Sequence, residues 1–257
     1  MTESSKAENA VDLDCEERPA QCEKHGPYVA IRFVRNVWSS CPGCREDQDR
    51  RHEERDRAEK AARQAERQRQ WLDESGLIGR FREATFSTFV AGNAKQAAVL
   101  KACQSYVETL EAAWRPLWLI GPPGTGKTHL GAAMVHACIA VRQHDAWITT
   151  PREIVRDLRA TWRRDSDATE DGLIRAFGAV PLLVLDEVGV GFGTDGELTQ
   201  LFEVIDRRYQ MRRPTVLISN LAAKDLRAVI GDRIFDRMRE AAQVLVCDWP
   251  SHRATAR

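Results

Sequence analysis

What this sequence lacks sets its first limits. Its formal net charge is zero, with 38 basic and 38 acidic side chains in 257 residues. No global field therefore draws the chain to nucleic acid, and any such contact has to come from a local patch. No run approaches the ~20 consecutive apolar residues that span a bilayer. The opening, MTESSKAENAVDLDCEERPA, has no apolar core of the kind a secretion signal carries, which makes the cytoplasm the expected compartment. In that reducing setting cysteines serve as metal ligands or buried thiols more often than as disulfides. Internal repeats are missing too, and the one biased tract is a charged one. Apolar residues at 43% nonetheless suffice for a packed core, and the length accommodates one ordinary domain plus a small one.

What is present starts with Gly121-Pro122-Pro123-Gly124-Thr125-Gly126-Lys127-Thr128, which follows the apolar run Leu117–Ile120 and precedes a helix-prone stretch beginning at His129. Strand, glycine loop and helix in that order make a phosphate cradle. The glycines let backbone N–H groups turn toward an anion, Lys127 adds a point charge for β- and γ-phosphates, Thr128 offers a hydroxyl to Mg²⁺, and the helix contributes its positive end. The loop and His129 form the expected nucleotide-binding set, together with Asp186.

Asp186 closes a second apolar run, Pro181-Leu182-Leu183-Val184-Leu185-Asp186-Glu187, which reads as a buried parallel strand ending in two acids. Asp186 would hold the Mg²⁺ shell with Thr128, and Glu187 would polarise the attacking water. Alone, adjacent acids on a turn are ordinarily just solvated. Their place after a complete phosphate loop gives them a role.

The seven cysteines divide unevenly. Cys103, Cys138 and Cys247 stand singly in apolar surroundings and read as small core residues. Cys22 and His25, then Cys41 and Cys44, form C-x2-H and C-x2-C pairs flanking a turn and an alternating strand over 26–34. This spacing suits four ligands converging on one Zn²⁺, with Pro42-Gly43 favouring the tight turn between the last two thiolates. Cys15 falls outside the pattern.

From Arg45 to Gln70 the composition shifts to Arg, Glu, Asp, Gln and Ala. Acid-to-base pairs at i,i+4 (Glu46 with Arg50, Asp47 with Arg51, Glu53 with Arg57, Asp56 with Lys60, Glu59 with Arg63) predict a solvated helix, each pair contributing ~0.2–0.5 kcal/mol. It is either a spacer or a docking helix for a partner. Packing should resume at Trp71, Leu72, Leu77, Ile78 and Phe81.

Beyond this the chain alternates strand and helix, as a parallel sheet with crossover helices does. Strands are expected at 117–120, 146–149, 182–186, 215–219 and 244–247. Helices are expected at 127–142, 151–162, 170–177, 196–209 and roughly 223–240. Asn220, at the end of the fourth of these strands, would emerge at the same sheet edge as Asp186, where it could hydrogen-bond the attacking water or the γ-phosphate; a plain turn residue is the other reading. Arg233 and Arg237 lie one turn apart. Either is a candidate to reach a neighbouring subunit's phosphates, with salt bridging in its own helix as the alternative.

Taken together, GPPGTGKT, LLVLDE, TVLISN and GDRIFDRMRE resemble the AAA+ ATPases of the bacterial helicase-loader family, the DnaC and DnaI type. The likeness covers about residues 79–257, with RFREATF, IDRRY and the terminal DWPSHR as supporting phrases. It implies a P-loop α/β domain at 79–257 without a C-terminal lid; the cysteine spacing and the charged run place before it a zinc-binding module at 1–44 and a charged helical linker at 45–78. The implied function is that of an ATPase that binds the replicative hexameric helicase through its amino-terminal region, self-associates on ATP and DNA, and helps place the helicase on single-stranded DNA. With no lid, Arg233, Arg237 and Arg253 share the candidacy for the sensing and trans-acting arginines.

A DNA contact has its own candidates. Arg152, Arg156, Arg159 and Arg163 recur at i, i+4, i+7 and i+11, with Trp162 beside them. Guanidinium charge plus an aromatic ring suits sequence-tolerant single-strand binding; a solvated amphipathic face is the alternative. Two rival functions share the core: an IstB-type transposase-helper ATPase, and a zinc-bearing adaptor in which ATP is structural.

Overall fold

The computed structural model describes residues 16–34, 37–110, 112, 114–163, 165–191, 194–240 and 242–252. Cys15 and Arg253 lie outside the described residues. The chain divides into two compact units, Met1–Ala65 and Glu66–Arg257.

In the first unit, β1 (Glu17–Cys22) and β2 (Gly26–Val34) form an antiparallel hairpin, and β3 (Val37–Trp38) extends it to a three-stranded sheet. The hairpin register brings Cys22 opposite Gly26, so the first cysteine and His25 meet at the turn. Helix α1 (Pro42–Glu74) begins on Pro42, whose fixed φ and missing N–H suit the first helical position. The charged run is helical as its pairing predicts, but the pairs differ. Glu53–Arg57 (3.8 Å) and Glu59–Arg63 (2.5 Å) form. Asp56 instead meets His52 at 3.3 Å, and Arg50 pairs with Asp47 rather than Glu46. Asp47 is drawn away from Arg51 because Lys24 and His25 of the hairpin turn also face it.

The second unit is built on a five-stranded parallel sheet. Its strands are β4 (Leu117–Ile120), β5 (Ala146–Thr149), β6 (Leu182–Leu185), β7 (Thr215–Ser219) and β8 (Gln243–Val246), in the order β5-β6-β7-β4-β8. All five expected strands are present, with shifts of one residue: Asp186 and Cys247 follow their strands rather than ending them. Alternation along β4 feeds two cores. Leu117 and Leu119 pack on one face with Leu130, Met134, Cys103 and Tyr106; Trp118 and Ile120 pack on the other with Ile154, Leu158, Leu201 and Phe235. A central strand buried on both faces reads as a continuous apolar run, which is how the sequence shows it.

The crossover helices are α3 (Lys127–Ala140), α4 (Pro151–Ala160), α5 (Glu170–Ala179), α6 (Asp195–Gln210) and α7 (Ala223–Arg239). α4 and α6 each open on a capping box, Thr150 with Glu153 and Thr194 with Glu197. Two corrections matter for the site. α4 ends at Ala160, so Trp162 and Arg163 lie in the turn after it. α7 is two helices joined at Gly231, whose φ of 76° breaks the run. A further helix, α2 (Ala94–Glu108), is absent from the expected set. Asn93 caps it, and it buries Val99, Cys103, Tyr106 and Val107.

Trp71, Leu72, Leu77 and Phe81 join the core as expected. Ile78 does not: it is 74% exposed, in extended backbone just before the 3-10 turn Gly79–Glu83. Cys103, Cys138 and Cys247 are fully buried. Arg208 is buried as well, its guanidinium satisfied by the Thr215 hydroxyl and the carbonyls of Phe177, Val180 and Pro214. Among the described residues no helix is long and apolar enough to cross a membrane.

Candidate functional site

The phosphate loop runs from the end of β4 into α3, with Gly126 in left-handed backbone (φ 89°) at the helix N-cap. A cavity of about 580 Å³ opens at the carboxyl edge of the sheet, and it gathers what the sequence separates by a hundred residues: Pro123–Thr128, His129, Asp186, Glu187 and Asn220. Lys127 is buried, and its ammonium donates to the carbonyls of Gly121 and Pro122, each at 2.7 Å. Burial lowers its pKa, against the opposing pull of Cys247 and Asp186. Burial raises that of Asp186, against a hydrogen bond from the Thr128 hydroxyl, the Glu187 N–H and the Lys127 charge. Each group is thus short of counter-charge in its own way. A hydroxyl and a carboxylate in mutual contact form a hard-oxygen donor pair that fits Mg²⁺, and a buried ammonium fits a phosphate beside it.

Asp186 is fixed by its backbone: its N–H donates to the Thr149 carbonyl on β5 at 2.8 Å, and its Oδ1 accepts the Glu187 N–H at 2.7 Å. Glu187 adopts φ 55°, a region that costs a non-glycine residue of order 1 kcal/mol or more and recurs at active sites. The next N–H, of Val188, is tied to the Ile218 carbonyl on β7 at 3.0 Å, and the Ser219 hydroxyl holds the Val188 carbonyl at 2.6 Å. The acid pair and Asn220 are therefore braced by adjacent strands.

His129 lines the cavity but turns its Nε2 to the Thr85 carbonyl and the Thr88 hydroxyl, both at 3.1 Å, with its ring edge-on to Phe89. It links the phosphate helix to the segment before α2. That segment, through Arg80, Phe81, Thr88 and Phe89, forms one wall of the cavity with Gln96 of α2; Trp249 and His252 form another. No local pattern in the sequence marks these as binding residues, because nothing in such a pattern tells which loops a fold brings to one edge.

Arg233 and Arg237 do not line the cavity of their own chain. Arg237 donates through Nε to Asp206 of α6 at 2.9 Å and lies 4.6 Å over the Tyr209 ring; Arg233 lies 3.9 Å over Phe202. Both sit on the α6–α7 surface.

On α4, Ile154, Val155 and Leu158 are buried while Arg152, Arg156 and Arg159 are exposed. Arg152 donates to the Gly191 carbonyl at 3.0 Å. Arg156 lies 3.7 Å from Asp157 and 3.9 Å from Glu153, and Arg159 lies 3.8 Å from Glu197. Trp162 is 62% exposed, with its N–H on Glu170 at 2.9 Å; Arg163 is exposed in the same turn. Solvated ion pairs of this length contribute ~0–1 kcal/mol and give way readily to a stronger anion.

In the first unit, Cys22, His25, Cys41 and Cys44 bring their four ligand atoms within 4.8 Å of one another. Cys22 Sγ lies 3.4 Å from Cys44 Sγ, and His25 Nδ1 lies 3.4 Å from Cys44 and 3.7 Å from Cys22 and Cys41. Ligands roughly 2.0–2.3 Å from one tetrahedral ion stand about 3.3–3.8 Å apart, so the cluster has zinc dimensions. The N–H groups of His25 and Lys24 pull the Cys22 thiol down to about 6, favouring the thiolate that ligates metal. The hydrogen bond with Cys22 pushes Cys44 up to about 11. Asp47, read from sequence only as a helix pairing residue, faces His25 Nε2 at 3.3 Å. Lys24 holds that carboxyl below the usual range, so it is an anion suited to accept a hydrogen bond from an Nε2–H, the tautomer that presents the Nδ1 lone pair to the thiols. Gly43 is needed in the knuckle: a Cβ there would stand 2.8 Å from the His25 ring.

Comparison with known proteins extends these findings. The family model described as IstB-like ATP binding protein matches residues 53–257. The replicative helicase loader DnaC of Buchnera aphidicola subsp. Acyrthosiphon pisum is 29% identical over 183 residues, covering 71% of this chain and 74% of that protein. Its counterpart in Escherichia coli K12 is 28% identical over 184 residues, with the same coverage. The crystal structure of the DnaC helicase loader superposes with a TM-score of 0.59 at 22% identity, over 66% of this chain and 99% of that one. That last likeness establishes an AAA+ fold.

Proposed function

Starting from its membership of the IstB-like ATP-binding family, to which this chain belongs, we propose that the protein is an ATP-hydrolysing loader of a replicative DNA helicase. The observation that carries the reading is the single cavity in which the phosphate loop, Asp186, Glu187 and Asn220 converge. Lys127 leaves the Gly121 and Pro122 carbonyls for the β- and γ-phosphates. Thr128 and Asp186 would hold Mg²⁺, which would supply charge neutralisation to the bound phosphates. Glu187 accepts hydrogen bonding from the attacking water and Asn220 fixes its position, so catalysis is by orientation and charge. Arg237, or Arg233 beside it, supplies positive charge to a neighbouring subunit's γ-phosphate, which makes turnover depend on assembly.

The remaining surfaces divide the partners. The zinc module (1–44) and charged linker (45–78) engage the hexameric helicase, and the exposed guanidinium groups of α4 with Trp162 follow the phosphates and bases of single-stranded DNA in the cell's cytoplasm. The test is co-purification of the chain with a replicative helicase, with and without ATP. An ATP-sensitive complex is expected. The family description favours one second reading, a transposase-helper ATPase of the IstB type; association with duplex DNA and a transposase, and none with a helicase, would select it.

A further inference from the structure

Two hydrogen bonds tie the segment after β8 to the phosphate loop, and a third ties it to the end of the strand that leads into that loop. The Cys247 N–H donates to the Ile120 carbonyl at 2.7 Å, continuing the β4–β8 pairing to the last residue of β4, next to the loop. Two residues on, Trp249 is 6% exposed and its indole Nε1 donates to the Thr125 carbonyl at 2.9 Å. The His252 N–H donates to the Gly124 carbonyl at 2.9 Å. Ser251 presses on the same spot so closely that a Cβ on Gly124, itself at φ 81°, would stand 1.9 Å from the Ser251 hydroxyl. On the outside, Asp248 pairs with Lys95 of α2. Both Trp249 and His252 also border the nucleotide cavity.

Peptide geometry gives these bonds a consequence. In a planar trans peptide the N–H of one residue points opposite to the C=O of the residue before it. Holding the carbonyls of Gly124 and Thr125 therefore fixes the directions of the Thr125 and Gly126 amides. These belong to the loop whose N–H groups cradle phosphate, and a glycine-rich loop left to itself loses much conformational freedom when it is ordered.

We propose that Asp248–His252 is a strap belonging to the nucleotide site, and that Trp249 is a positioning residue which preorganises the phosphate-loop amides through the Thr125 carbonyl. The ligand class is a nucleoside triphosphate with its cation, so the inference rests on the ATP-binding reading above. Its effect is uniform binding: the strap lowers the cost of gripping phosphate and touches no reacting atom.

The test uses the full chain. Native protein is first titrated with Mg-ATP; failure to bind at that stage overturns the nucleotide reading itself. Trp249→Phe, which keeps a ring and loses the N–H, is then compared with it. The expected result is a roughly 3–10-fold rise in the Mg-ATP Kd and in KM, the range one hydrogen bond spans, with kcat held. Exchange of the Thr125 and Gly126 amides should become faster, and the tryptophan emission change on adding Mg-ATP should shrink. If Trp249→Phe does not fold, Asp248→Asn, which only frees the exposed Lys95 pair, should move Kd and amide exchange in the same direction by a smaller factor. Affinity, KM and exchange within twofold of native in a folded Trp249→Phe protein, or in Asp248→Asn where that is the variant used, overturn the strap.

Discussion

Asp186 and Glu187 are locked to each other: the Asp186 Oδ1 accepts the Glu187 backbone N–H at 2.7 Å, and Glu187 takes a left-handed φ of 55°. The carboxylate bonded by Thr128 and the exposed one next in sequence are thus set by different constraints, which suits the proposed division, Asp186 for the cation and Glu187 for the water.

That division separates two substitutions. Lys127→Ala removes phosphate charge and should abolish nucleotide binding. Glu187→Gln should keep Mg-ATP affinity and lower kcat by roughly 10²-fold or more, as expected when a water-orienting base is lost. Calorimetry with Mg-ATP and a phosphate-release assay check the pair; equal ATP affinity in Lys127→Ala and native protein contradicts the assignment.

At the cysteine cluster we expect about one Zn²⁺ per chain, lost on replacing Cys41 or Cys44. Asp47→Asn should leave the four ligands and weaken metal affinity by roughly 10–100-fold, because the acceptor that sets the His25 tautomer is no longer an anion. Competition with a chromophoric chelator measures the difference, and an unchanged affinity would remove Asp47 from the site.

For the α4 face, joint reversal of Arg156 and Arg159 to Glu should weaken single-strand binding and flatten its salt dependence, since each lost phosphate contact removes roughly 0.7 from the slope of log K against log salt. A native slope retained in the double variant would clear this helix of a DNA role. Arg152 is the wrong probe, because its bond to the Gly191 carbonyl ties it to the loop beyond Glu187.

Arg237 is examined by mixing. Arg237→Ala subunits keep their own phosphate sites, whereas Lys127→Ala subunits keep a good arginine; neither should turn over ATP alone, and the mixture should regain activity. No recovery in demonstrably mixed assemblies would show that Arg237 does not act in trans.

Much of this was legible in the chain because it is local. The phosphate loop, the apolar strands and the cysteine pairs are consecutive residues whose chemistry needs no tertiary context. The amphipathic helix α4 showed its basic edge, though not its end at Ala160, which a run of exposed arginines does not mark. What stayed hidden depends on long-range placement. α2 has an Asn93 cap but only a blurred apolar face, its helical pattern diluted by Ala and Lys. Asp47 gave a plausible i,i+4 partner in Arg51, and only the folded hairpin turn shows Lys24 and His25 competing for it. Trp249 sits 124 residues from its Thr125 acceptor, and no sequence period connects them.

Helicase loading itself is the most direct measurement of the proposed role. Replicative helicase is incubated with closed circular single-stranded DNA, ATP and this protein, and the helicase retained on the circle is counted against reactions with Lys127→Ala protein or with none. A several-fold gain in loaded helicase is expected with the native chain, and none with Lys127→Ala. Equal loading in all three reactions, with a helicase known to respond to a loader of its own, would contradict it.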